Sequence, residues 1–186
     1  MAPRLLLALA LAACTATLAA CGNRQATVTE GESEAVYVTN GDLQYQVQIS
    51  RQLNPADPGD RALLVGLPEG DRRLGPDDLW FGVWVRVWNE TDEARKAAGR
   101  FEIVDTRGST FEPVPVAPVN TLAYRPGLVP AGGQYPVPSS VPENLPTTGG
   151  VLVFKLPRQA LDFRPLELVF NGTESPDNES SVRLDV

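Results

Sequence analysis

The chain has 186 residues, with 16 basic against 23 acidic side chains and a formal net charge of −7. An acidic chain lacks the basic patches that displace counterions from nucleic acid, so no nucleic-acid partner is expected. Histidine is absent and the only methionine is Met1. That removes imidazole bases, histidine-based metal sites and the common Ser–His and Cys–His nucleophile pairs. The chain is therefore read as non-enzymatic, with no cofactor and no metal.

The first element is an export signal. Arg4 precedes the apolar run LLLALALAACTATLA, which is too short and too rich in alanine for a comfortable membrane span. It ends in Leu18-Ala19-Ala20-Cys21-Gly22, which closely resembles the bacterial lipobox. In that class of signal the cysteine sulfur takes a diacylglycerol, and cleavage leaves the cysteine as the first residue. An earlier copy ends at Cys14, but cutting there would leave a second apolar stretch on the mature protein. Cys21 is thus the expected lipidation site. The expected organisation is a signal peptide over 1–20, a tether over 21–34 and one domain over 35–186. No disulfide is expected, so the domain must be held by its own core. An acyl-bearing cysteine anchors without spanning, which places the protein on the extracytoplasmic face of the cell membrane.

Within the domain, LQYQVQIS alternates, with Leu43, Tyr45, Val47 and Ile49 on one face and glutamines on the other. That is the pattern of a half-buried antiparallel strand. NPADPGD breaks the chain, and ALLVGL (62–67) is read as a short strand before the loop EGDRRLGPDD. LWFGVWVRVWN (79–89) is the most emphatic strand: Leu79, Phe81, Val83, Val85 and Val87 face the core, with Trp80, Gly82, Trp84, Arg86 and Trp88 opposite. ETDEARKAAG reads as turn or short helix. RFEIVD and STFEPV flank Thr106-Arg107-Gly108 as a hairpin. Nine of the 17 prolines fall between 113 and 146, so this segment should run in extended pieces over an edge or surface, with a short strand near Tyr124. GGVLVFKLP turns Leu152, Phe154 and Leu156 inward, PLELVF does the same with Leu166, Leu168 and Phe170, and SVRLDV alternates as a last strand, with a disordered acidic tail over 171–186 as the alternative. Short strands separated by turn signals predict a single antiparallel β-sandwich.

The series VRVWNETDE, FEIVDTRGSTFEPV, YRPGLVPAGGQYP, GGVLVFKLP and PLELVF resembles a family of bacterial immunoglobulin-like lipoprotein domains of unknown function, whose label likens it to a telomeric repeat-binding factor. The resemblance covers residues 36 to 170, with landmarks at the Asn89 turn, the Asp105–Gly108 hairpin and the Gly127–Gly133 loop. The tryptophan-rich strand and the long proline-rich segment depart from it. It implies an exported, surface-attached immunoglobulin-like sandwich and no catalytic residues.

Candidate surfaces follow from the stripe Trp80, Trp84, Arg86 and Trp88. Tryptophan with arginine is the composition of interface hot spots, so the stripe is a candidate face for docking an envelope protein or stacking sugar rings. In the competing reading, segment 113–146 covers the stripe and makes a second small core. A carrier or sensor of a small extracellular ligand, with a pocket under that segment, is the alternative function. The acidic clusters Asp57/Asp60, Asp77/Asp78 and Glu90 to Glu93 match no calcium-loop spacing and are read as solvated loops.

Overall fold

The computed structural model describes residues 27–172 and 178–186. Cys21, the expected signal peptide and residues 21–26 of the expected tether lie outside them. Twelve strands follow one another among the described residues: β1 (Glu30–Gly31), β2 (Tyr37–Asn40), β3 (Leu43–Leu53), β4 (Asp78–Asn89), β5 (Arg95–Lys96), β6 (Arg100–Val104), β7 (Thr110–Phe111), β8 (Leu128–Val129), β9 (Gln134–Tyr135), β10 (Gly150–Pro157), β11 (Leu166–Asn171) and β12 (Glu179–Leu184). One sheet runs β1-β12-β11-β6-β7. The other runs β10-β4-β3-β2, with β9 added at the end of β4, while β5 and β8 pair apart. The expected all-β sandwich is the fold.

The two sheets face each other because period-two alternation gives each strand one apolar side. Leu79, Phe81, Val83, Val85 and Val87 of β4 enter the inter-sheet core with Leu152, Phe154 and Leu156 of β10. The facing sheet contributes Ile103, Leu166, Leu168, Phe170, Val182 and Leu184. Aromatic rings knit the middle, with Phe170 4.8 Å from Tyr45 and 5.4 Å from Phe101 between centroids. Residues 179–184 form the final strand, antiparallel to β11. The 105–109 hairpin turns on Asp105, whose Oδ1 accepts from the N–H groups of Arg107 and Ser109. Gly108 takes φ +81° there, a conformation that L side chains rarely adopt.

Four local expectations are corrected. Gln48 is an extra residue in β3: Val47 lies opposite Val85, but Ile49 lies opposite Trp84. One inserted residue flips every later side chain to the other face, so Ile49 leaves the Leu43/Tyr45/Val47 face. ALLVGL is not a strand; Pro58–Leu63 forms helix α1, with Asp57 as N-cap accepting from the Asp60 N–H and proline in the first turn. ETDEARKAAG contains no helix and instead supplies β5. Ordered pairing also begins before Ala35, since Glu30 and Gly31 lie parallel to Ser181 and Val182.

Both seams of the sandwich are closed. On one side, the Val28 carbonyl accepts from the Thr39 N–H of β2 and the Thr29 carbonyl accepts from the Ser181 N–H of β12. Residues 28–31 thus bridge an edge of each sheet. On the other side, the chain leaves β7 and Pro113 forms an antiparallel bridge with Phe154 of β10. Edges covered in this way are withdrawn from pairing with other chains. The sandwich therefore has two distinct ends. At one lie the chain entry near Thr39, the 40–43 turn and the loops after Asn89. At the other, about 30 Å away along β3, lie residues 54–77 and the 158–165 turn.

Candidate binding face

β4 sets the geometry of the stripe. Its alternation puts Trp80, Gly82, Trp84, Arg86 and Trp88 on the outer face of the second sheet, as expected, but the outer face is divided. Trp80 and Trp84 are only 2% and 3% exposed. They pack with Leu53, Leu63, Leu67, Val151 and Val153, and with the partly buried Val114, Val116 and Leu122. The competing reading thus holds for this half: Trp80 and Trp84 are not a free surface. The cover comes from two sources, since the 53–74 loop contributes Leu63 and Leu67 besides the proline-rich segment. Gly82 completes the fit, because a Cβ there would lie 3.0 Å from both Leu53 Cδ2 and Trp84 Cζ3. The ring of Trp84 lies over the strand where a side chain is missing.

Polar groups pin this cover in place. Arg51 donates to both carboxylate oxygens of Asp60, at 2.9 and 2.5 Å, while its guanidinium lies 5.0 Å from the Trp84 ring. The bond from Arg51 holds the Asp60 carboxyl below its ordinary value, assisted by the Asn54 N–H and opposed by burial. Asn120 donates to the carbonyls of Leu63 and Val65 at 2.9 Å each and closes the helix end against the proline-rich segment. The acidic clusters are likewise engaged: Asp57 caps α1, Asp78 lies 3.6 Å from Lys155 Nζ, and Glu93 lies 2.7 Å from Arg95.

The other half of the face is open. Arg86 and Trp88 are half-buried. The Arg86 guanidinium sits 4.6 Å from the Trp88 ring centre, and Trp88 meets Tyr37 at 5.0 Å with planes tilted by 59°. Tyr37 is 51% exposed. Around this trio lie Gln44 opposite Trp88 and Gln46 opposite Arg86 on β3, with Gln134 of β9 on the far side. Gln44 reaches Glu90 at 3.0 Å, Gln46 holds the Ala35 carbonyl at 2.6 Å, and Gln48 donates to Gln46. Tyr37 was not among the sequence candidates; the alternation in YVTN, with Val38 fully buried, was the signal that could have found it.

The pocket expected under segment 113–146 exists as a cavity of 310 Å³ between that segment and β10, lined by Pro113, Val116, Tyr124, Pro126 and Leu152 among others. Burial pushes the Tyr124 hydroxyl well above its ordinary value. It donates to the Ala98 carbonyl at 2.8 Å and is held by the fold. A parallel bridge between Ala123 and Val151 stands where a short strand near Tyr124 was expected. Among the described residues no three acidic or cysteine side chains converge as metal ligands would.

No protein-family model and no curated protein matches the sequence. The fold is similar to solved structures. The yjhA protein from Bacillus subtilis is 15% identical with a TM-score of 0.51, the match covering 83% of this chain and 99% of that one. A protein described as a "putative lipoprotein (ycdA)" from Bacillus subtilis subsp. subtilis str. 168 is 12% identical with a TM-score of 0.51, covering 80% of this chain and 38% of that one. An uncharacterized beta-sandwich protein from Clostridium difficile 630 is 8% identical with a TM-score of 0.42, covering 83% and 95%. At such identities the likeness is one of fold.

Proposed function

We propose that the chain is a lipid-anchored, extracytoplasmic β-sandwich module that docks another envelope protein, and that it is not an enzyme. The lipobox-like Leu18–Cys21 supports the anchor, and one chain of similar fold is described as a "putative lipoprotein". The observation that carries the docking role is the open trio of Arg86, Trp88 and Tyr37. A cation and two aromatic rings that already touch one another are ordered before contact, so little side-chain entropy is lost on binding. The amides of Gln44 and Gln134, beside Trp88 on either side, supply adaptable hydrogen bonding.

Position narrows the partner. The trio lies at the end of the sandwich where the chain enters, since Thr39 bonds the Val28 carbonyl and lies opposite Gln44. Between Cys21 and Thr27 the chain can span at most about 20 Å. A lipidated Cys21 therefore keeps the trio close to the membrane, within reach of an integral membrane protein.

A photoreactive residue at position 37, in native cells, tests this reading. One discrete membrane-protein adduct is expected, lost when Trp88→Ala is added and missing when the probe is moved to Val119, which is 73% exposed at the far end. The Trp88→Ala chain must keep the native melting temperature. Equal adducts from both positions, or an adduct indifferent to Trp88→Ala, would overturn the assignment.

A further inference from the structure

The far end of the sandwich holds a cavity of a different character. Its volume is 520 Å³ and its apolar lining comes from Pro55, Leu64, Leu67, Leu74 and Trp80. Arg61, Arg72 and Arg73 also line it, and no acidic residue does. Arg61 belongs to α1, and Arg72 and Arg73 follow the turn at Glu69–Asp71. Among the described residues none of them enters an ion pair. Arg72 spends its Nε on the Leu67 carbonyl at 3.1 Å, which orients the rest of its guanidinium. Three arginines without carboxylate partners, gathered on one cavity of a chain with a net charge of −7, run against the electrostatics of the whole molecule. The volume falls within the range of about 300–1,000 Å³ usual for small-ligand sites.

We infer that this cavity binds a small amphiphile from solution, with a carboxylate or phosphate held by Arg61, Arg72 and Arg73 and an apolar body lying on Leu67, Leu74 and Trp80. Guanidinium forks suit both oxyanions, and an anion is what three uncompensated cations select. Charge complementarity commits the site to an anionic head, and the leucine and tryptophan lining commits it to an apolar tail. A soluble source is chosen over the headgroups of the anchoring membrane, because the cavity lies at the end opposite the chain entry. That choice of source rests on the proposed anchor at Cys21; the chemistry of the site does not.

The test is calorimetric titration of hexyl phosphate and hexanoate into the full chain held in phosphatidylcholine nanodiscs, with empty discs subtracted. Hexanol serves as the neutral analogue. Saturable one-to-one binding of the two anions is expected, at least tenfold weaker for hexanol. The double variant Arg61→Gln/Arg73→Gln leaves the Arg72 bond to Leu67 in place, and with an unchanged melting temperature it should also bind at least tenfold more weakly. Discs containing phosphatidylglycerol should leave the affinity unchanged. The site is overturned by no saturable heat, by equal binding of hexanol or by equal binding to the double variant. Competition from phosphatidylglycerol overturns the soluble source. A chain that fails to remain with the discs overturns the anchor alone and leaves the titration readable.

Discussion

Truncating Trp84 tests whether the stripe is two structures rather than one. Its ring is 3% exposed, seated over Gly82 and covered by Leu53 and Leu122. Burying a tryptophan removes about 150–250 Å² from water, which at about 25 cal/mol per Å² gives about 4–6 kcal/mol as an upper bound. Measured Trp→Ala costs in cores run to about 3–5 kcal/mol. Trp88→Ala removes a half-buried ring that meets Tyr37 and Arg86, and should cost about 1 kcal/mol. A domain of this size has about 5–15 kcal/mol in hand, so the Trp84→Ala chain should still fold at low temperature while losing a large share of its stability. Urea unfolding followed by far-UV circular dichroism measures both, with the slope compared to the native chain so that a change in midpoint can be read as stability. Costs for Trp84→Ala and Trp88→Ala within about 0.5 kcal/mol of each other would refute the division of the outer face.

Two further outcomes follow from neighbouring contacts. Gly82→Ala should destabilise by about 1–3 kcal/mol, because the new methyl meets both the Leu53 methyl and the Trp84 ring at contact limits; a neutral effect in the same urea assay would mean that the ring is free to move aside. The acid limb of stability should depend on Arg51. Its bond lowers the folded value of Asp60 below 3.8, so the stabilisation is fully present above that ordinary value and is lost as pH falls through the lower folded one. In melting curves from pH 2 to 7, the gap between native and Arg51→Gln chains should hold steady above about pH 5 and close below about pH 4. A gap independent of pH would dismiss the pair as a source of acid sensitivity.

The sandwich was legible because its inner strands are written in alternation: the apolar faces of 79–87, 152–156, 166–170 and 182–184 are the core. What period two does not carry is an interruption of itself. Gln48 lies among alternating glutamines and gives no sign of being an inserted residue, yet it sends Ile49 to the opposite cluster. The helix start had a local signal in Asp57-Pro58, which the apolar run after it outweighed. Trp80 and Trp84 could be placed on the outer face from sequence, but what covers them lies up to about 40 residues away, at Leu53, Leu67 and Leu122, and no pattern within the strand encodes that. Arg61, Arg72 and Arg73 meet only because α1 and the following turn fold back on the sheet.

The parallel seating of residues 28–31 has a mechanical meaning. Residues 28 and 29 lead into β1 along the strand axis, and the Thr39–Val28 and Ser181–Thr29 bonds lie across that axis. A pull transmitted through the N-terminus therefore loads these bonds together, in shear, instead of peeling them in succession. The same pull is shared by β12 of one sheet and β2 of the other, so force entering at the tether is divided between both layers. Under the proposed docking role, tension between the tether and a partner on Tyr37 and Trp88 would pass through β2, β3 and β4 at one end only. The loops at the far end, with the arginine-lined cavity, stay outside the path of the force.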